Sequence, residues 1–225
     1  MAIVSVIGAG RIGRQVIDHI DGAPGLRPGR VLTRTGAPDT ADPGVFLSAP
    51  CDIIIETAGP AALRAHGAAC LRVADLWTVS AAALVDDAFR DDLFDVARRS
   101  GTSLRLFAPW VAGIGQVPPG AATALTLRIA RPGAGGDFTG SLRDAARAFP
   151  NELNFAVAAA LCGPGLDATR VEIRDAAPHL LEAELETRIG TFRSSSAFTG
   201  QGGHPTAQSL VAALDGLQPG VSYGA

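Results

Sequence analysis

The chain opens on a short run, Ala2 to Ile7, rich in β-branched residues, which suits a strand buried on both faces. It enters Gly8-Ala9-Gly10-Arg11-Ile12-Gly13, after which apolar residues recur at helical spacing as far as Ile20. This strand, glycine turn and helix form a unit whose grammar repeats. Past a Pro/Gly-rich connection at 22–29, strands are predicted at 30–35, 51–56, 76–79 and 103–107. Helices are predicted at 61–71, opened by Pro60, and at 85–99. The stretch 36–50, rich in Pro, Gly, Asp and Ala, reads as an irregular surface crossover. Strands alternating with helices build a Rossmann-type, doubly wound parallel α/β sheet, here assigned to residues 1–108.

Beyond residue 108 the pattern changes. A longer strand at 122–130 is followed by a short helix that Ser141 caps with Asp144 three residues on, and by a helix at 152–161. Strands at 169–174, 179–187 and 190–195 complete an α+β pattern with antiparallel hairpins, so a second domain is expected over 109–204. Leu181, Ala183 and Leu185 alternate on one strand and Val171 and Ile173 on its neighbour. That predicts a sheet needing cover on both faces, as a homodimer would provide. The last helix, 206–217, sets Leu210, Val211, Leu214 and Leu217 on one face and is free to return to either domain, with 205–225 as the segment that would pack back on the first.

Composition narrows the chemistry. The 225 residues are 47% hydrophobic and 18% charged, yet no apolar run approaches the roughly 20 residues that span a bilayer. The formal charge of −3 comes with no block of like sign, which argues against nucleic-acid and membrane partners and for a small-molecule ligand. All 19 basic residues are Arg, so a Schiff-base lysine, a P-loop lysine and a lysine general base are excluded. Cys51, Cys70 and Cys162 are scattered without CxxC spacing, so neither a disulfide framework nor a metal site is expected, and a reducing cytoplasm fits. Arg11 and Arg14 follow the N-terminal apolar run instead of preceding it, which reads as a strand and not as a signal peptide.

The glycine turn carries the clearest chemistry. In a dinucleotide site Gly8 makes the tight turn, Gly10 lets backbone approach the diphosphate, and Gly13 allows helix and strand to pack closely. Where an acidic side chain would take the ribose 2′-hydroxyl of NAD, Thr33 and Arg34 stand instead. Arg34 would pair with a 2′-phosphate, which favours NADP, while Asp39 or Asp42 folding back would restore NAD. Among the four histidines, His19 and His66 lie in helices of the first domain and read as surface or packing residues. His179 shares a strand face with Leu181, Ala183 and Leu185, and by that pattern it is an enclosed, hydrogen-bonded core histidine. His204, before Pro205 in a glycine-rich loop, reads equally as a helix N-terminal contact or a ligand contact.

With these pieces placed, the chain resembles the L-aspartate dehydrogenase family nearly end to end. The resemblance is carried by Gly8-Ala9-Gly10-Arg11-Ile12-Gly13, Val79-Ser80-Ala81-Ala82-Ala83-Leu84, Gly140-Ser141-Leu142-Arg143-Asp144-Ala145-Ala146, Phe149-Pro150-Asn151-Glu152-Leu153-Asn154-Phe155-Ala156, and Asp175 followed by His179. It implies an NAD(P)-dependent oxidation of a small amino acid at its C–N bond, L-aspartate first, or the reverse reductive amination, by a homodimer. His179 then becomes the catalytic acid/base. Gly8, Gly10, Arg11, Ile12, Gly13, Arg34, Ala58, Ser80, Ala81 and Asn154 are assigned to the cofactor, and Trp110, His204 and Thr206 to the amino-acid or keto-acid substrate. The chain departs from the family at Trp110-Val111-Ala112-Gly113-Ile114-Gly115-Gln116, and at Thr206, where the family carries a lysine. An NADP-dependent imine or keto reductase acting on a less charged substrate, or a dinucleotide-binding protein without turnover, are the alternatives.

Overall fold

A computed structural model describes residues 1–107, 111, 114, 117–118, 120–150, 152–199 and 203–217. The chain divides into two compact units, one of residues 1–107 joined by the C-terminal segment from Gly203, the other of residues 108–202. In the first, β1 (Ala2–Ile7), β2 (Leu26–Leu32), β3 (Ile53–Glu56), β4 (Asp75–Thr78) and β5 (Leu104–Leu106) form one sheet in the order β2-β1-β3-β4-β5. Every pairing in it is parallel. The helices are α1 (Arg11–Gly22), α2 (Pro43–Ser48), α3 (Pro60–Leu71) and α4 (Asp87–Ser100). The chain moves one way from β1 to β2 and the other way from β3 to β5. Right-handed crossovers then send helices to opposite faces and leave a switch point beside β1.

Local signals explain most of these elements. Pro60 stands in the first turn of α3. Asp86 caps α4 by accepting from the Phe89 amide at 3.1 Å, and Gly101 ends that helix in the left-handed region. Val4, Val6, Ile53 and Ile55 meet Val16 and Ile20 of α1 in the core, and Leu210 and Leu214 of the last helix, α7 (Pro205–Asp215), join them.

Two expectations are corrected here. The segment 22–29 is not all connection: β2 begins at Leu26 and runs through Pro28 and Gly29. Pro28 is tolerated because β2 is an edge strand, and the register shifts between Val4 and Val6 as the Arg30 amide bonds the Ser5 hydroxyl at 3.1 Å. Nor is 36–50 wholly irregular, since Asp42 and Pro43 open the short helix α2.

The second unit carries β6 (Ala122–Ala130), β7 (Phe138–Ser141), β8 (Thr169–Arg174), β9 (Leu180–Thr187) and β10 (Gly190–Ala197) in the order β10-β9-β6-β8-β7. Its helices are α5 (Leu142–Ala148) and α6 (Asn154–Cys162). The Ser141 hydroxyl accepts from the Asp144 amide at 3.1 Å, as the capping pattern requires. The sheet is mixed and not purely antiparallel, because β6 pairs parallel with β8 and antiparallel with β9. Strand β7, with Gly140 in its short run, carries no periodic signal of its own.

The expected two apolar faces are also corrected. Leu127 of β6 stands opposite both Val171 and Ala183, so the two alternating sets share one face, and that face is buried. The other face is charged, with Arg193 bonded to Glu184 at 3.0 Å and Arg170 to Glu172 at 3.3 Å.

Candidate functional site

At the head of α1 the glycines do separate work. Gly8 adopts φ 96° and lies so close to Ala58 that an added Cβ would fall 2.9 Å from the Ala58 Cβ. A Cβ on Gly13 would overlap the Gly8 carbonyl oxygen and lie 2.6 Å from Thr57 Oγ1, so only glycine lets the helix start this close to the strand. Gly10 caps the helix with no atom within 4 Å of where its Cβ would stand. The first intrahelical bond runs from the Arg14 amide to Gly10, so the amides of Arg11, Ile12 and Gly13 precede it. Open space before three unspent amides, with no carboxylate in the first turn, is what a diphosphate requires.

Arg34 is exposed just past the end of β2. The turn it rides on is tied by the Thr33 amide to Thr40 O at 3.0 Å and by the Thr33 hydroxyl to Ala37 O at 2.8 Å. The two carboxylates nearby are spent elsewhere. Asp39 accepts from the Val31 amide at 3.0 Å and from Arg30 at 2.7 Å, which together hold its carboxyl below the usual range. Asp42 accepts from the Gly44 amide at 2.7 Å at the head of α2.

Ala58, Ser80 and Ala81 follow β3 and β4. Ser80 and Ala81 are buried, and Ser80 opens a 3-10 turn over Ala81–Val85. Between them and Ala58 lies a residue that sequence reading took as the end of an apolar strand. Glu56 is 1% exposed, and its Oε1 accepts from the Ala58 and Gly59 amides at 2.7 and 2.9 Å. Its Oε2 accepts from the Thr78 hydroxyl at 2.6 Å, and the Ser80 hydroxyl donates to the same carboxylate. Burial pushes this carboxyl up, against those four hydrogen bonds. The signal open to a sequence reader was a single charge closing Ile53-Ile54-Ile55.

His204 caps α7, its Nδ1 accepting from the Thr206 amide at 3.2 Å. Its own amide donates to Gln15 Oε1 at 3.1 Å, and Gln15 in turn donates to Arg11 O at 3.0 Å. The head of α7 is thus fastened to the first turns of α1, and partial burial, then Arg11, lower the imidazole pKa.

The second unit holds Asn154 and His179. His179 precedes β9 instead of starting it, and it is exposed, which corrects the expected enclosed position. The last register pair, Ala130 with Leu180, leaves it beyond the ladder, where its ring lies 4.7 Å from Phe198 and its carbonyl accepts from the Phe198 amide. Continuing that register sets Arg131 across from it. Partial burial first, then Arg131, push the imidazole pKa below its ordinary value, which favours the neutral form that a base needs. Arg131 is ion-paired with Glu152, two residues before Asn154 at the head of α6. Trp110 lies outside the described residues. Among the described residues no cluster of His, Cys, Asp or Glu could hold a metal ion, and no helix is long and apolar enough to cross a membrane.

Two family models match successive parts of the chain. Residues 8–106 match the NAD-binding domain of homoserine dehydrogenases, and residues 132–216 match the C-terminal region of aspartate dehydrogenases. The L-aspartate dehydrogenase of Ruegeria pomeroyi is 32% identical over 94% of this chain and 90% of its own. L-aspartate dehydrogenase 2 of Bordetella bronchiseptica is 34% identical over 67% of this chain and 62% of its own. In fold, the chain is similar to the aspartate dehydrogenase of Thermotoga maritima, at 17% identity and TM-score 0.74 over the full length of both. A glycine turn shaped for a dinucleotide, a C-terminal match that takes in four of the five strands of the second sheet, and a relative aligned along nearly both chains place this protein in the L-aspartate dehydrogenase family.

Proposed function

We propose that the chain catalyses NAD(P)-dependent oxidative deamination of L-aspartate, or the reverse reductive amination of its 2-oxo acid. The carrying observation is the near full-length match to an enzyme of that name, joined to a glycine turn with open space before three unspent amides. A dinucleotide held on the turn from Gly8 to Gly13 would supply hydride exchange with the substrate α-carbon. His179 takes a proton from the water that hydrolyses the resulting imine, and returns it in the reverse direction. Asn154 serves the cofactor, and His204 and Thr206 serve the substrate with Trp110. Following NAD(P)H absorbance with L-aspartate, and with its 2-oxo acid plus ammonium, tests this. Turnover is expected in at least one direction, and binding without turnover on any amino or keto acid would leave a dinucleotide-binding protein.

A less charged amine, imine or ketone is the second reading. It is favoured by Thr206, which stands where the family's lysine would meet a carboxylate in a chain without any lysine. Alanine and asparagine run beside aspartate separate the two.

NADP is the favoured cofactor, supported by Arg34 and by the engagement of Asp39 and Asp42 elsewhere. Replacing Arg34 with Asp is expected to weaken NADP(H) relative to NAD(H) by about 1 to 3 kcal/mol, the range of a charge-assisted bond. Titrating both cofactors against both proteins measures it, and an unchanged affinity ratio would sink the assignment.

The reading includes a homodimer, as the resemblance implies, and a cytoplasmic location, which three unpaired cysteines suit. Sedimentation at micromolar concentration is expected to return twice the chain mass, and a monomer would count against it.

A further inference from the structure

We propose that Glu56 is a positioning residue of the dinucleotide site, holding the turns after β3 and β4 in the arrangement that admits the nicotinamide half of the cofactor. The inference rests on dinucleotide binding by the first unit and adds the residue that shapes its far half. In a doubly wound sheet the cofactor crosses the carboxyl ends of the strands at the switch point, with its diphosphate on the first turn. In the order β2-β1-β3-β4-β5, Arg34 lies on the β2 side with the adenosine. The turns after β3 and β4 are therefore left to the nicotinamide.

Those two turns hang on one carboxylate. The amides of Ala58 and Gly59 point at Oε1, while the hydroxyls of Thr78 and Ser80 serve the rest of the group. Thr78 Oγ1 also accepts from the Ser80 amide at 3.0 Å, so the second turn is held through both main chain and side chain. The glycine turn keeps an anchor that does not involve Glu56, since the Thr57 hydroxyl lies 3.1 Å from the carbonyls of Ile7 and Gly8. A leucine would fill this apolar position at no desolvation cost. Among the described residues no Arg pairs with Glu56, so the carboxylate is kept in the core by donated hydrogen bonds alone. All its partners are donors, and two are backbone amides that cannot turn to accept. Glutamine can keep one oxygen on the amides while the hydroxyls rotate to receive its NH2, whereas alanine releases both turns.

The test uses the full chain and its Glu56→Ala and Glu56→Gln variants. NADPH and NADH are titrated by calorimetry, beside ADP-ribose and its 2′-phosphate, which lack only the nicotinamide. Melting temperature is followed in parallel. The expected result is a loss of about 10- to 100-fold in dinucleotide affinity for Glu56→Ala, the scale of hydrogen bonds to a charged group. ADP-ribose affinity should change by less than about 3-fold, and Glu56→Gln should fall between wild type and Ala. A purely structural role would lower the melting temperature and leave the folded protein's preference for dinucleotide over ADP-ribose intact, and that result would overturn the proposal. If Glu56→Ala does not fold, Glu56→Gln decides: a weakened preference supports the proposal and a wild-type preference overturns it. A wild-type chain that binds neither ligand would overturn the dinucleotide reading itself, and this inference with it.

Discussion

Exchanging His179 for Asn is expected to lower turnover by about 10²- to 10⁴-fold, the usual contribution of general acid-base catalysis, while fold and cofactor affinity persist. The ring is exposed and rests on Phe198 at the end of the sheet, so its loss opens no core cavity. A stability change within about 0.5 kcal/mol is expected for such a surface position. A pH arm sharpens the test. Partial burial and Arg131 hold the imidazole below its ordinary value of 6.5, so it stays neutral and competent as a base at pH 7, and kcat/KM falls only as pH drops through the lowered value. Removing the Arg131 charge with Gln favours protonation, raises the pKa and moves that acid limb to higher pH. Melting temperature, cofactor affinity and turnover measured in one His179→Asn preparation decide the matter. Near-normal turnover in a folded variant would remove His179 from the chemistry and leave His204 as the next candidate.

One methyl group placed at Gly13 is expected to cost both folding stability and dinucleotide binding, whereas the same methyl at Gly10 should cost binding alone. A Cβ on Gly13 collides with the Gly8 carbonyl, a backbone atom, and with Thr57 Oγ1 at 2.6 Å. The helix must then back away from the turn, at about 1 to 3 kcal/mol for overpacking, and the α1 amides retreat from the diphosphate. Gly10→Ala meets nothing within 4 Å and should melt like wild type. Its methyl occupies the space the diphosphate needs, so a loss of about 10-fold or more is expected there. Calorimetric titration with melting curves for both variants checks the pair. Unchanged cofactor affinity in folded Gly10→Ala would show that the open space before α1 is not the diphosphate site.

Much of this protein was written in short stretches of chain. The run Ala2–Ile7, the glycine turn and the helix behind it were legible because strand burial, a positive φ at Gly8 and close packing at Gly13 each demand particular residues within a dozen positions. The Ser141 cap and β6 were legible for the same reason.

What escaped the sequence depends on partners distant along the chain. β2 reaches back to Leu26 because Leu26, Arg27 and Pro28 pair with Ala2, Ile3 and Val4, more than 20 residues away. The alternating residues of β8 and β9 share a face because both strands pair with β6, a register that neither sequence carries. His179 kept the parity of an inward residue, yet it lies past the last paired position, where no neighbouring strand encloses it. Glu56 looked like the close of an apolar run. Its setting is decided by Thr78 and the Ser80 hydroxyl, more than 20 residues on, and by amides that turn back onto it. Periodicity, caps and backbone sign act between near neighbours and can be read in order. Strand register, and the donors that make a buried charge tolerable, exist only once distant segments have met.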